Sequence, residues 1–349
     1  MNVLDYECSD CTSLYFVEPS VKPILINASW SLNDYLGALR VRTSLNRNNY
    51  TVEPGLYAIG HPGVNSEVLV TSNYKLTLDV LRRDVKGLDL WLLVLDTKGV
   101  NVWCAAGKGT FGTKELIHQI ESTGIKNRIE HKRIIVPQLG APGIAAHEVK
   151  GATGLNVKYG PVRSKDIKHY LAHNRTADAE MRRVNFTFTD RLKLTPVEVV
   201  YSSKYLFMAL AFVLLIAGFN GIYFSKAQFL SNAAPYAISI IAAFFSGTVI
   251  GPLLLPVLPF RNFALKGVFS GLLVWLLIFL GVYRAEFSFV QIGFLFASLT
   301  AGSFFTMNFT GASTYTSLSG VLKEMKYAVP AQIATGAAGI IALVISIFI

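Results

Sequence analysis

Between residues 30 and 195 the apolar positions follow two rhythms. Short runs at 56–59, 68–71, 134–136, 156–159 and 184–188 predict strands, and 90–95 is apolar at every position, the mark of a strand covered on both faces. Segments 74–85, 113–122, 145–150 and 164–172 carry helical spacing, and 32–39 follows Ser31, a residue suited to a helix start. Strands alternating with helices predict an α/β doubly wound, Rossmann-like domain over 30–195 with a mostly parallel sheet. Ligands in such folds bind beyond the carboxyl ends of the strands. That rule selects the loops at 72–74, 101–113, 138–143 and 160–163. Residues 1–29 are polar, contain Pro19 and Pro23, and predict an irregular leader.

Beyond residue 196 this alternation gives way to long apolar blocks. Five of them, at about 204–224, 235–258, 265–283, 287–309 and 328–349, match the roughly 20 residues that a bilayer core requires. An all-α transmembrane domain of five helices is therefore predicted over 196–349. Composition agrees: 52% hydrophobic and 15% charged is too apolar for one soluble domain. Beyond Ser203 only seven basic and two acidic residues remain, all between the blocks or within the first two positions of one, where they read as topology signals and not as a nucleic-acid surface. Placing the first domain in the cytoplasm puts Arg261 with Lys266, and Lys323 with Lys326, on the inner side. The expectation is a multi-pass protein of the cytoplasmic membrane with its C-terminus outside. Residues 1–15 carry acids and no apolar core, so no signal peptide is expected. Three cysteines make no disulfide framework and suit a reducing compartment. Gly247 with Gly251, and Gly267 with Gly271, permit close helix packing within one chain or between two copies. Without a mid-block charge an ion-coupled transporter is not encouraged; Asn220, Gln291, Asn308 and the Ser/Thr-rich stretch 300–319 line a polar path or belong to a plain anchor.

Candidate chemistry is concentrated at 101–108, Asn-Val-Trp-Cys-Ala-Ala-Gly-Lys. On a helix Asn101, Cys104 and Lys108 share a face. Ala105, Ala106 and Gly107 would leave the flank of the sulfur bare for something large and flat; the alternative is a buried structural cysteine. The octapeptide resembles, at all eight positions, the signature of the mercury-methylating corrinoid proteins (the HgcA family), whose cysteine is an axial ligand to cobalt. Residues 101–112, 134–140 and 157–163 are also similar to the corrinoid-binding domain of the corrinoid iron-sulfur protein of carbon monoxide metabolism, a likeness spanning 56–172.

The resemblance implies a cobalamin or related corrinoid, base-off, with Cys104 as cobalt ligand and catalytic residue. Fold position and resemblance place its contacts at Thr71, Ser72 and Asn73; at Asn101, Val102, Trp103, Ala105, Ala106, Gly107 and Lys108; at Gly109, Thr110, Phe111, Gly112 and Thr113; at Gln138, Leu139, Gly140 and Gly143; and at Gly160 and Pro161. The activity implied is that of a membrane-anchored corrinoid-dependent methyltransferase, passing methyl from Cys-ligated methyl-Co(III) to mercuric ion to give methylmercury. Implied partners are a ferredoxin-like iron-sulfur protein as reductant, a folate-linked methyl donor and membrane lipid, with no nucleic acid. Two other readings stay open: a corrinoid methyl carrier of one-carbon metabolism, and a membrane-anchored nucleotide-binding sensor or scaffold.

The remaining motifs are weaker. Residues 107–112 spell G-x-G-x-x-G, yet Gly107 stands well past the apolar run ending at Leu95, whereas a dinucleotide fingerprint begins at the strand end. Residues 109–113 are left as a phosphate cradle for a cofactor tail. The D-x-H-x-x-G signature of histidine-ligated cobalamin domains is absent, and His118, His147, His169 and His173 read as structural polar residues. Three cysteines cannot hold an iron-sulfur cluster of four thiolates in this chain. Cys8 and Cys11 form a C-x-x-C, either incidental or a clip for a soft metal such as mercury. The basic run Lys126, Arg128, Lys132, Arg133 is a solvated edge or a ferredoxin dock.

Overall fold

The structure, a computed structural model, describes residues 21–45, 47–312 and 318–349. The chain divides into two compact units, one made of residues up to Ala38 with Asn48–Arg183, the other of Leu39–Arg47 with Val184–Ile349. The C-x-x-C of Cys8 and Cys11 lies outside the described residues.

The first unit is a six-stranded mixed sheet between helices. In chain order it contains β1 (Ile24–Leu25), the start of α1 (Leu32–Arg42) as far as Ala38, β2 (Gly55–Ile59), β3 (Val68–Ser72), α2 (Lys75–Asp84), β4 (Leu90–Leu95), α3 (Val102–Lys108), α4 (Thr113–Thr123), β5 (Arg133–Val136), α5 (Ala146–Thr153), β6 (Asn156–Tyr159) and α6 (Ile167–Ala172). The sheet order is β1-β2-β4-β3-β5-β6. From β4 to β6 every pairing is parallel, but β2 runs antiparallel to β4. The sheet is mostly parallel, as expected, with this one antiparallel pairing as the exception. Only residues 60–67 join β2 to β3, too few for a helical crossover, so the two strands run in opposite senses. Alternation along the strands sorts two cores: Leu56, Val70, Leu93 and Leu95 face α3, α4 and α5, while Tyr57, Leu69, Leu92 and Val94 face α2 and α6. The chain winds from β3 to β4 through α2 on one face and returns across β3 to β5 through α4 on the other. The topological switch therefore lies at the carboxyl ends of β3 and β5, next to that of β4.

Local signals set the ends of these elements. The Ser31 amide donates to Asp34 Oδ2 at 2.8 Å and the Asp34 amide to Ser31 Oγ at 3.3 Å, a reciprocal cap that starts α1. Asp34 also pairs with Lys75 and Arg82 at 2.8 Å each, tying α1 to α2. Burial raises the Asp34 carboxyl, but the Lys75, Ser31 and Arg82 hydrogen bonds outweigh it and hold the group far below the usual carboxylate range.

Two sequence expectations fail between residues 1 and 195. Ile24–Leu25 lies in the supposed irregular leader yet pairs in parallel with β2. Residues 184–188 form no strand. Thr187 instead builds a capping box with Asp190 and starts α7 (Phe188–Leu192), so a cap that satisfies helical amides decides against a short apolar run with no free sheet edge assigned to it.

The second unit is helical. It contains α7, α8 (Thr195–Ile216), a hairpin of β7 (Phe219–Asn220) and β8 (Tyr223–Phe224), α9 (Lys226–Phe245), α10 (Gly251–Leu254), α11 (Phe263–Gly281), α12 (Phe289–Asn308) and α13 (Leu318–Ile345). Among the described residues five helical stretches are long and apolar enough to cross a membrane: Phe188–Ile216, Lys226–Leu254, Phe263–Gly281, Phe289–Asn308 and Ser319–Ile345. Three boundaries differ from the apolar windows. The first helix starts earlier, with Pro196 in its first turn, and ends before Gly218, where the Phe224 ring fills the space of a Cβ. The second starts after Ser225, whose hydroxyl accepts the Gln228 amide at 3.4 Å, and passes through Pro235 and a π turn, Ser246–Ile250. The last begins at Leu318 and holds Lys323, Glu324 and Lys326 in its opening turns. Hydropathy registers the apolar middle of a helix, whereas caps set its ends.

Within this unit the glycines serve contacts inside the chain. A Cβ on Gly267 or Gly271 would run into the backbone of α12 at Gly302 or Ser298, and one on Gly247 into Ala301. Close approach also satisfies hydroxyls: Ser298 Oγ donates to Gly271 O at 2.8 Å and Ser270 Oγ to Ser246 O at 3.0 Å.

Candidate functional site

The loop and helix after β4 carry the cysteine. Asn101 stands at the N-cap of α3 in extended conformation, and its side-chain oxygen accepts the Cys104 amide at 3.0 Å. Gly109 ends the helix at φ +81°, a left-handed conformation that favours glycine. Over this short span the helix has two faces. Val102, Ala105 and Ala106 point into the core, while Trp103, Cys104, Gly107 and Lys108 are exposed. Cys104 is therefore a free, exposed thiol and not a buried structural cysteine. The alanines do not flank the sulfur as the sequence suggested; at i, i+3 and i+4 from Val102 they belong to the inward stripe. Gly107 does, for a Cβ built there meets nothing within 4 Å.

A buried asparagine shapes the approach to this helix. Asn73, at the end of β3, accepts on Oδ1 from the Thr97 amide (3.1 Å), Thr97 Oγ1 (2.8 Å) and the Gly99 amide (3.0 Å), and donates through Nδ2 to Asp96 Oδ1 (3.1 Å). On the other side Glu115 Oε1 accepts the Asp96 amide at 2.8 Å. Burial raises the Asp96 carboxyl, but bonds from Lys98 and Asn73 outweigh it and hold it below its ordinary value. Asn73 thus holds the 96–100 loop rather than presenting itself outward, and Thr97, Asp96 and Glu115, missed from sequence, complete the brace. A polar residue directly at a buried strand's end was the available signal.

The remaining predicted contacts divide by burial. Thr71 and Ser72 are buried in β3, the Ser72 hydroxyl without a partner. Phe111 is fully buried beneath the 3₁₀ segment Gln138–Gly143; a Cβ on Gly140 would strike its ring and one on Gly143 its carbonyl. Thr113 Oγ1 donates to Gly143 O at 3.3 Å and accepts the Ala145 amide at 2.8 Å. Gln138 Oε1 accepts from Arg182 at 3.0 Å, and Leu139 packs against the core. Gly160 and Pro161 are buried, with Ile135 against Gly160. These residues fix the backbone around α3. Gly109, Thr110, Gly112 and Thr113 line a depression of about 500 Å³ at the start of α4, shared with Asp96, Glu115 and Glu148 and with Lys98 and Lys114. The Thr110 hydroxyl is buried there without a partner.

His118, His147, His169 and His173 are all exposed, the last two stacked with ring centroids 3.9 Å apart. Among the described residues no three His, Cys, Asp or Glu side chains gather as for a metal ion.

Comparison with known proteins aligns residues 22–171 with the family model described as CO dehydrogenase/acetyl-CoA synthase delta subunit. Similar relatives are acetyl-CoA decarbonylase/synthase complex gamma subunits. That of Methanopyrus kandleri is 37% identical over 127 residues, covering 36% of this chain and 27% of the relative. That of Archaeoglobus fulgidus is 35% identical over 130 residues, covering 37% and 27%, and that of Methanothermobacter thermautotrophicus 35% over 153 residues, covering 42% and 33%. The chain thus spans 27–33% of the length of these relatives. These names overturn the likeness to the mercury-methylating family, and with it the reading as a mercury methyltransferase acting on mercuric ion. The octapeptide alone carried that reading, whereas the similarity extends across 22–171 and agrees with the likeness to the protein of carbon monoxide metabolism.

Proposed function

We propose that the first unit binds a corrinoid and carries a methyl group in one-carbon metabolism, in the manner of a decarbonylase/synthase subunit, from a membrane anchor formed by the second unit. The outward face of α3 carries this reading: an exposed cysteine beside an exposed glycine with open space above it. A glycine inside a helix costs about 1 kcal/mol relative to alanine, and no contact within the chain requires one at 107. A flat ligand seated against the helix does.

The residues present fit such a group. Cys104 would supply a sulfur ligand to cobalt in a base-off corrinoid, Gly107 would admit the ring, and Trp103, 43% exposed, would cover its edge. When bound, the cobalt centre supplies reversible methyl transfer. The chain's own part is positional. Asn101 fixes the first turn and with it the direction of the Cys104 Cβ, Asn73 and Glu115 hold the preceding loop, and Phe111 props the turn that follows. The partly buried loop at 109–113 would receive the anionic tail. With three cysteines in the chain, reducing equivalents come from a partner with iron-sulfur clusters, and methyl from a folate-linked donor. The basic links at Arg261–Lys266 and Lys323–Lys326 support a cytoplasmic first unit and an outer C-terminus.

Cobalt content tests this. The full chain, incubated with cobalamin in detergent and passed through gel filtration, is expected to retain stoichiometric cobalt, and Gly107→Leu to lose it while keeping the parent's circular dichroism. A parent that emerges free of cobalt contradicts the proposal.

A further inference from the structure

The second unit holds a crevice of about 800 Å³ between α11, α12 and α13 that the one-carbon reading does not use. Its mouth lies where α11 and α13 begin and carries two exposed cations, Arg261 and Lys323. Among the described residues no salt bridge engages either. Glu324 faces the same space, but its Oε1 accepts the Ala264 amide at 2.5 Å at the opening turn of α11. Two cations against one carboxylate leave the mouth net positive. From Lys323 the wall descends α13 by about 13 Å to Gln332, at roughly 1.5 Å per residue. Along that depth it is largely apolar. Gln332 is 7% exposed, with Nε2 on Ser303 Oγ at 2.8 Å and Oε1 buried without a partner. A serine hydroxyl both donates and accepts, so the amide can turn over and offer its unfilled end as donor or acceptor.

We infer that this crevice is a binding site for one anionic phospholipid. Its phosphate sits between Arg261 and Lys323, and an acyl chain lies on the apolar wall that leads toward Gln332. The charge at the mouth selects an anion, the apolar depth an amphiphile, and the place at the helix starts a molecule resident in the bilayer. A soluble phosphate compound would leave the lower wall empty. This site rests on the five long helices spanning a membrane, and the test separates the two claims.

The full chain is reconstituted into nanodiscs of phosphatidylcholine with and without phosphatidylglycerol, extracted gently, and examined by native mass spectrometry for retained lipid. One phosphatidylglycerol per chain is expected, with retention falling by roughly an order of magnitude in the double variant R261Q/K323Q and unchanged in Lys226→Gln. Both substituted side chains are exposed, and circular dichroism is expected to match the parent. Equal retention in parent and double variant, or equal retention of phosphatidylcholine, overturns the site. Flotation with vesicles reads the membrane claim separately: a chain that floats without lipid preference loses only this site, whereas one that does not float loses the anchor as well.

Discussion

The two units differ in what they expose and in where they bury polar groups. In the first, β2 to β5 bury leucine, isoleucine and valine on both faces, and buried polar groups such as Asn73 and Thr97 brace loops at the strand ends. In the second, Phe207, Met208, Leu215, Leu277, Leu280, Ile333 and Ile340 are exposed, while Ser246, Thr248, Ser270, Gln291, Ser298 and Thr306 are buried. The outward apolar surface of the second unit is the kind that suits lipid, that of the first the kind that suits water. Where lipid gives no hydrophobic gain from association, helices meet through glycines and hydroxyls instead.

The sharpest way to break this contrast is at a helix crossing. Gly267→Leu drives a side chain into the α12 backbone at Gly302, which has no flexible end to move, and should cost several kcal/mol. A parent-like melt in detergent would mean that α11 and α12 do not cross so closely. Next comes one substitution made in both units: Leu277→Lys should oppose membrane insertion by about 3 kcal/mol, whereas Val64→Lys, also exposed, should stay within about 0.5 kcal/mol. Equal effects in an insertion assay and a urea melt would abolish the distinction.

Smaller changes sharpen the picture of the first unit. Asn73→Ala strips partners from the buried Thr97 hydroxyl and from two loop amides and should cost about 2 kcal/mol. It should also open residues 96–100 to limited proteolysis; an unaltered digest would remove Asn73 from its bracing role. Acid should act last. The Asp34 carboxyl is held below its ordinary value of 3.8 in the folded state, so its stabilising contribution is complete above that pH and is lost as the pH falls through the lower folded value. Glu67, buried and then outweighed by Arg133 and Arg175, behaves in the same sense from 4.5 downward. Melting temperature should fall with pH below about 4, less steeply in Asp34→Asn; superimposable pH profiles would deny the ion network that role.

The sequence made most strands legible because their apolar runs end at turn residues, and β4 was unmistakable at six apolar positions. The antiparallel entry of β2 was hidden, since pairing partners lie outside any local pattern. Residues 184–188 misled because the apolar run was weighed before Thr187 and Asp190, three apart, a cap spacing visible in the chain. At the candidate site Cys104 and its Asn101 cap could be read directly. The sides taken by Ala105 and Ala106 could not, because the phase of a seven-residue helix is set by what it packs on, here Phe111 and the sheet. The family was misjudged for a related reason: eight residues weighed more than the broader likeness over 56–172, the one that the family match across 22–171 supports.

The central claim is that Cys104 presents its sulfur to a bound corrinoid. The most direct measurement is the ultraviolet-visible spectrum of the full chain loaded with cobalamin, recorded beside Cys104→Ala. A corrinoid spectrum whose axial-ligand bands shift when only this sulfur is removed is the predicted result. Two coincident spectra, or no corrinoid bound by the parent, would contradict it.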